Sequence, residues 1–102
     1  MQCDVHANPH ASRDRVPYLL DVQADLLDEL ETRVVVPLIR AAAFGRRARG
    51  LHPSFEVSGE DVVMATHLLA AIRRSELGAP VASLAGRRDE VIAAIDVLLA
   101  GV

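Results

Sequence analysis

Lysine is absent from this sequence: all 11 basic residues are arginine, set against 14 acids for a formal net charge of -3. That balance excludes the broad basic face with which proteins displace counterions from nucleic acid, so no direct nucleic-acid partner is expected. Arginine keeps its charge when partly buried and grips carboxylates with a planar fork, which suits a protein–protein surface. Cysteine is nearly absent too, and the lone Cys3 rules out an internal disulfide and favours no oxidising compartment. No apolar run approaches the roughly 18 residues that span a bilayer, and residues 1–10 carry no apolar signal core. A soluble, cytoplasmic protein with no membrane partner is the expectation. Also missing are a Gly-x-Ser-x-Gly elbow, a phosphate loop, a dinucleotide-binding glycine pattern and a zinc-ligand set. No catalytic residue, cofactor or metal is therefore expected, and the chain reads as a non-enzyme.

What is present is a chain of 102 residues, 51% apolar and 25% charged, enough for one domain over 1–102 with a complete but modest core. Between residues 18 and 25, Leu20, Val22 and Ala24 alternate with Asp21, Gln23 and Asp25. Period two with one polar side predicts a half-buried strand whose acids are solvated. Ahead of it, a short edge strand over 2–6 is followed by a mobile loop from Ala7 to Pro17. Arg33 to Leu38 holds three consecutive β-branched residues closed by Pro37, a strand buried on both faces with the proline at an edge or bulge. Residues 39–49 fit a short helix or an irregular strand equally. Phe55–Val57 and Val62–Met64 flank Ser58-Gly59-Glu60-Asp61, a hairpin signal. His67 to Arg74 reads as helix by propensity. Val91, Ile92, Ile95, Leu98 and Leu99, with charges opposite, mark an amphipathic helix from about Gly86 to Leu99, ending at Gly101. Strands first and one helix last point to a small barrel or curled sheet.

Side chains that could carry chemistry are scattered. Cys3, His6 and His10 have a metal-like spacing, but residues 3 and 6 of a strand point to opposite faces. His52 and His67 read as isolated, structural or solvated residues. Asp21, Asp25, Asp28, Glu29 and Glu31 read as a solvated face and an acidic turn. The groups Arg46-Arg47-Arg49, Arg73-Arg74 and Arg87-Arg88 fit pairing with the acids or an acidic-partner surface.

Taken in order, Met1-Gln2, Ser12-Arg13 and Arg15, then residues 20–28, Val35-Val36-Pro37-Leu38 and Leu51-His52-Pro53 resemble the CcdB family of toxins. Gly59-Glu60, Met64, Thr66, Pro80-Val81 and the helix closing in Gly101-Val102 extend the resemblance over the whole chain. It implies a mainly β fold, an SH3-like antiparallel β-barrel with a C-terminal helix, in which residues 67–73 form a strand and not a helix. It implies a homodimer that serves as the toxin of a plasmid-type toxin–antitoxin pair, neutralised by an antitoxin with a disordered C-terminal tail. The target implied is the DNA gyrase A subunit, trapped with its DNA cleaved.

By the same resemblance, Leu26, Leu27, Asp96, Leu99, Ala100, Gly101 and Val102 face gyrase, and Ser12, Arg13 and Arg15 face the antitoxin. One departure stands out. Gyrase-poisoning relatives end in Trp-Gly-Ile, with the tryptophan against a gyrase arginine, where this chain ends in Ala100-Gly101-Val102. Losing a tryptophan at an interface centre typically costs about 2–4 kcal/mol. The alternative expectation is therefore a chain that binds an antitoxin but has weak, lost or retargeted gyrase activity. A ribonuclease reading, suggested by a related barrel family of toxins, lacks the acid–base groups and basic groove it needs.

Overall fold

The computed structural model describes residues 1–102. Seven strands form a single antiparallel sheet: β1 (Asp4–Ala7), β2 (Tyr18–Asp21), β3 (Thr32–Arg40), β4 (Ser54–Val57), β5 (Glu60–Met64), β6 (Ala70–Arg73) and β7 (Pro80–Ser83). One helix, α1 (Arg88–Ala100), closes the chain. The order across the sheet is β4-β5-β3-β2-β1-β7, with β6 also pairing β3. The sheet curls into a half-barrel and α1 packs on its core, the mainly β architecture expected from the resemblance.

The long strand β3 is the spine, and its alternation sorts two layers. Val36 and Leu38 join Val5, Leu20, Met64 and Phe55 in the main core, into which α1 sends Val91 and Ala94. Val35 and Ile39 point the other way and are buried as well. A strand buried on both faces is thus what these β-branched residues form.

Pro37 lies neither on an outer strand nor at a bulge. One edge of β3 pairs β2 throughout residues 35–38, while the other edge pairs β6 over 32–35 and β5 over 38–40. The Pro37 carbonyl accepts from Ala65 N–H at 2.9 Å on that second edge. Its nitrogen faces the same way, into the gap where β3 changes partner, so the missing N–H removes no ladder bond.

Three expectations are corrected. The N-terminal strand is Asp4–Ala7 and is internal, paired with β2 on one side and β7 on the other. Residues 7–17 are organised by Asn8, whose amide donates to Ser12 Oγ at 3.0 Å and to the Val16 carbonyl at 2.9 Å, while its Oδ1 accepts from His10 N–H. His67–Arg74 is not a helix: a 3₁₀ turn at Thr66–Leu68 leads into β6, because pairing with Thr32–Val35 overrides the propensity of Leu and Ala. Residues 39–49 finish β3 and then make one 3₁₀ turn at Ala41–Ala43.

The hairpin forms with Val57 opposite Glu60, so Ser58 and Gly59 alone make the turn. Their φ angles are 52° and 81°, the left-handed pair that matches the twist of the flanking strands. The last helix matches expectation at its end. Gly101 takes φ 78° and donates its N–H to the Val97 carbonyl, a left-handed C-cap for which glycine carries no steric cost.

Candidate functional site

The face of the sheet away from the main core carries His6, Leu19, Asp21, Arg33, Val35, Pro37 and Ile39, each on the same side by register. Its two ends differ in chemistry. At one end Arg33 and Asp21 form an ion pair with side chains only 2% exposed. The Asp21 carboxylate accepts from Arg33 Nε at 3.1 Å and Nη2 at 2.7 Å, and from Gln23 N–H at 3.0 Å. The alternation of residues 18–25 is therefore correct in direction but wrong in environment, since Asp21 and Gln23 are buried. Arg33 closes over the acid, and a charge 12 positions away in β3 gives no local pattern to reveal it.

At the other end lies an apolar groove of about 220 Å³. Ser12, Arg15, Val16, Pro37, Leu68 and Ile72 are among the residues that line it. Two of the three residues expected on the antitoxin side, Ser12 and Arg15, thus border a hydrophobic slot, while Arg13 stands outside its lining. Asn8, which holds Ser12 and Val16 by hydrogen bonds, was not among the expected residues.

The residues expected on the gyrase side fall in two places. Leu26 and Leu27 sit in a 3₁₀ turn at Asp25–Leu27, with Leu26 93% exposed and Leu30 nearby also bare. Asp96, Leu99, Ala100, Gly101 and Val102 occupy the end of α1, where Leu99 is 76% and Val102 87% exposed. No hydrogen bond or ion pair joins the two sets. Gln2 links the first set to the start of α1, its N–H donating to Asp25 Oδ1 and its Oε1 accepting from Arg88. The far end of the 13-residue helix, roughly 20 Å long, carries the second set and runs beside Gly50, where an added Cβ would stand 3.7 Å from Val97 Cγ2.

His52 and His67 are neighbours, contrary to their reading as isolated residues. His52 Nδ1 accepts from Ala48 N–H at 2.8 Å, which places the proton on Nε2, and Nε2 donates to His67 Nδ1 at 2.9 Å. Phe44 packs edge-on against both rings. Burial, and then the adjacent His67, hold His52 below the usual histidine range. Cys3 lies in the main core, where burial pushes its thiol up, and His6 lies on the opposite face, so the two do not converge on one ligand.

The arginine groups divide. Arg87 stacks over Phe55 at 4.4 Å and grips Glu90, which lowers the Glu90 carboxyl and raises the guanidinium. Arg74 donates to the Asp28 carbonyl, and Arg40 pairs with Glu60. Arg46, Arg47 and Arg49 remain exposed on one loop.

The domain is thus a curled antiparallel sheet with one packing helix, an apolar groove on its back and exposed leucines at two corners. A family model described as CcdB protein matches residues 2–101, nearly the whole chain, and the chain belongs to the CcdB family. That family consists of toxins of toxin–antitoxin systems that act on gyrase, poisoning it without being catalysts themselves. No helix here is long and apolar enough to cross a membrane.

Proposed function

We propose that this chain is the toxin of a toxin–antitoxin pair, binding the DNA gyrase A subunit and trapping the complex in which DNA is cleaved. The observation that carries the reading is the bare end of α1. Leu99 and Val102 stand in solvent on either side of a glycine that turns the chain sharply, an arrangement with no use in packing this domain. Leu26 and Leu27 add a second exposed apolar contact. The apolar groove beside Ser12 and Arg15 suits the tail of a cognate antitoxin that orders on binding. A homodimer, as the acting form, is supported by the outer strands β4 and β7, each paired on one side only, and by Val81 exposed on β7. Action in the cytoplasm, where gyrase works, and a role in plasmid maintenance belong to the same reading.

A second reading rests on Ala100. The methyl group standing where gyrase poisons of this family carry tryptophan cannot stack on a guanidinium, so gyrase binding would be weak, lost or retargeted while antitoxin binding persists. Supercoiling and cleavage assays with gyrase from the same organism, run beside Ala100→Trp, separate the two. Trapping of cleaved DNA by the parent chain supports the first reading. Trapping by Ala100→Trp alone, at roughly 30- to 1,000-fold greater potency as expected for one restored hot spot, supports the second. Trapping by neither overturns gyrase as the target.

A further inference from the structure

The segment that carries Leu26, Leu27 and Leu30 has almost nothing apolar to hold it. Every residue from Ala24 to Thr32 is exposed. Its restraints are polar, and they converge. Gln23 Nε2 donates to the Leu27 carbonyl at 3.0 Å, and Arg74 holds both ends of the turn that follows, its guanidinium at 2.5 Å from the Asp28 carbonyl and its N–H at 2.7 Å from the Glu31 carbonyl. One further tie is ionic. Arg33 reaches out from the buried Asp21 pair and donates its remaining arm, Nη1, to the Asp28 carboxylate. A buried guanidinium already satisfied by one carboxylate gains a second at the surface, and that second acid belongs to the leucine segment.

We propose that Arg33 is a positioning residue, which through Asp28 fixes residues 24–31 so that Leu26, Leu27 and Leu30 meet a protein partner as one preformed apolar edge. The buried Asp21 pair anchors the guanidinium, Asp28 transmits that anchorage to the loop, and Arg74 secures the opposite side. Leu30 thereby joins the expected contact pair as a third contact. Fixing a loop before binding spares the ordering cost that a flexible one incurs on association. The assignment of gyrase as the partner rests on the reading above; the positioning itself does not.

Asp28→Asn is the decisive variant, because its side chain is 61% exposed and its change leaves the Arg33–Asp21 pair intact. Amide hydrogen exchange is read at positions 27, 28 and 30, whose N–H groups donate to Ala24, Asp25 and Leu27 carbonyls within the segment. Exchange there is expected to quicken at least tenfold, with β3 amides unchanged, and Asp28→Glu, which keeps the carboxylate, is expected to restore protection. Binding of a gyrase A-subunit fragment is expected to weaken about tenfold in Asp28→Asn and to recover in Asp28→Glu. Equal exchange in the parent and Asp28→Asn overturns the proposal, as does faster exchange with undiminished binding to a fragment that the parent binds. A parent chain that binds no gyrase fragment removes gyrase as the partner, and the exchange comparison still decides whether Arg33 positions the loop.

Discussion

Arg33 Nη2 lies 2.7 Å from Asp21 Oδ2 on the back of the sheet, joining β3 to the end of β2 with both side chains out of solvent. Without Arg33, the buried Asp21 carboxylate keeps only the exposed Met1 ammonium, 3.5 Å away, as an opposite charge. Arg33→Met is expected to destabilise the fold by about 3 kcal/mol, the lower end of what breaking a buried ion pair costs. Arg33→Met with Asp21→Leu should recover most of that loss. Urea denaturation of the single and double variants checks the ordering, and equal midpoints for parent and Arg33→Met would contradict it.

His52 is stabilised in its neutral form by its hydrogen-bond pattern, and its proton affinity in the folded chain is lowered by burial and by His67. The sign of the pH effect follows. The unfolded chain binds a proton near pH 6.5, the ordinary histidine value, before the folded chain does. Stability is complete above that pH and falls as the pH drops through 6.5 towards the lower folded value. Thermal melts at pH 7.5 and 5.5, compared with His52→Gln, should show a steeper decline in the parent. Nitrogen NMR should find the His52 proton on Nε2.

Ser58 adopts φ 52°, a conformation that asparagine tolerates better than serine. Ser58→Asn, which creates the favoured Asn-Gly turn, is expected to stabilise the hairpin by about 0.5 kcal/mol, a rise in Tm of roughly 2–4 °C. Gly59→Ala, at φ 81°, should cost about 1 kcal/mol. Differential scanning calorimetry reads both.

Leu68 borders the apolar groove and is 46% exposed, so its side chain is available to a partner without being needed by the core. Leu68→Glu should weaken an antitoxin tail peptide by about 1.5–3 kcal/mol, roughly ten- to a hundredfold, while leaving any gyrase binding within a factor of three. A parallel loss of both activities would place the antitoxin elsewhere.

The parts of this fold legible in the sequence are those set by neighbours along the chain. Ser58-Gly59-Glu60-Asp61 between Phe55–Val57 and Val62–Met64 gave the hairpin, and Val91, Ile92, Ile95, Leu98 and Leu99 at helical spacing gave α1. Pairing between distant segments was not legible: β6 reads as helix because Leu68 to Arg74 shows no sign of the Thr32–Val35 edge it joins. The same limit hid much of the candidate site. Asp21 looks solvated until Arg33 covers it, and His52 looks solitary until the turn at Thr66–Leu68 brings His67 beside it. The leucines at 26 and 27 and the end of α1 are expected contacts by a family resemblance of order and spacing, whereas Asn8 and Arg33 come to notice through their contacts and Leu30 through its exposure.

Pro37 sits where β3 exchanges one neighbour for another, and it lines the groove together with Leu68 and Ile72. Lacking an N–H on that edge, the proline cannot help β5 and β6 zip into one unbroken ladder along β3. The sheet is forked there by covalent chemistry, and the hydrophobic slot lies on the β6 side of the fork. A partner that fills it would rest against the one residue of the spine that has no N–H to offer a strand on that edge.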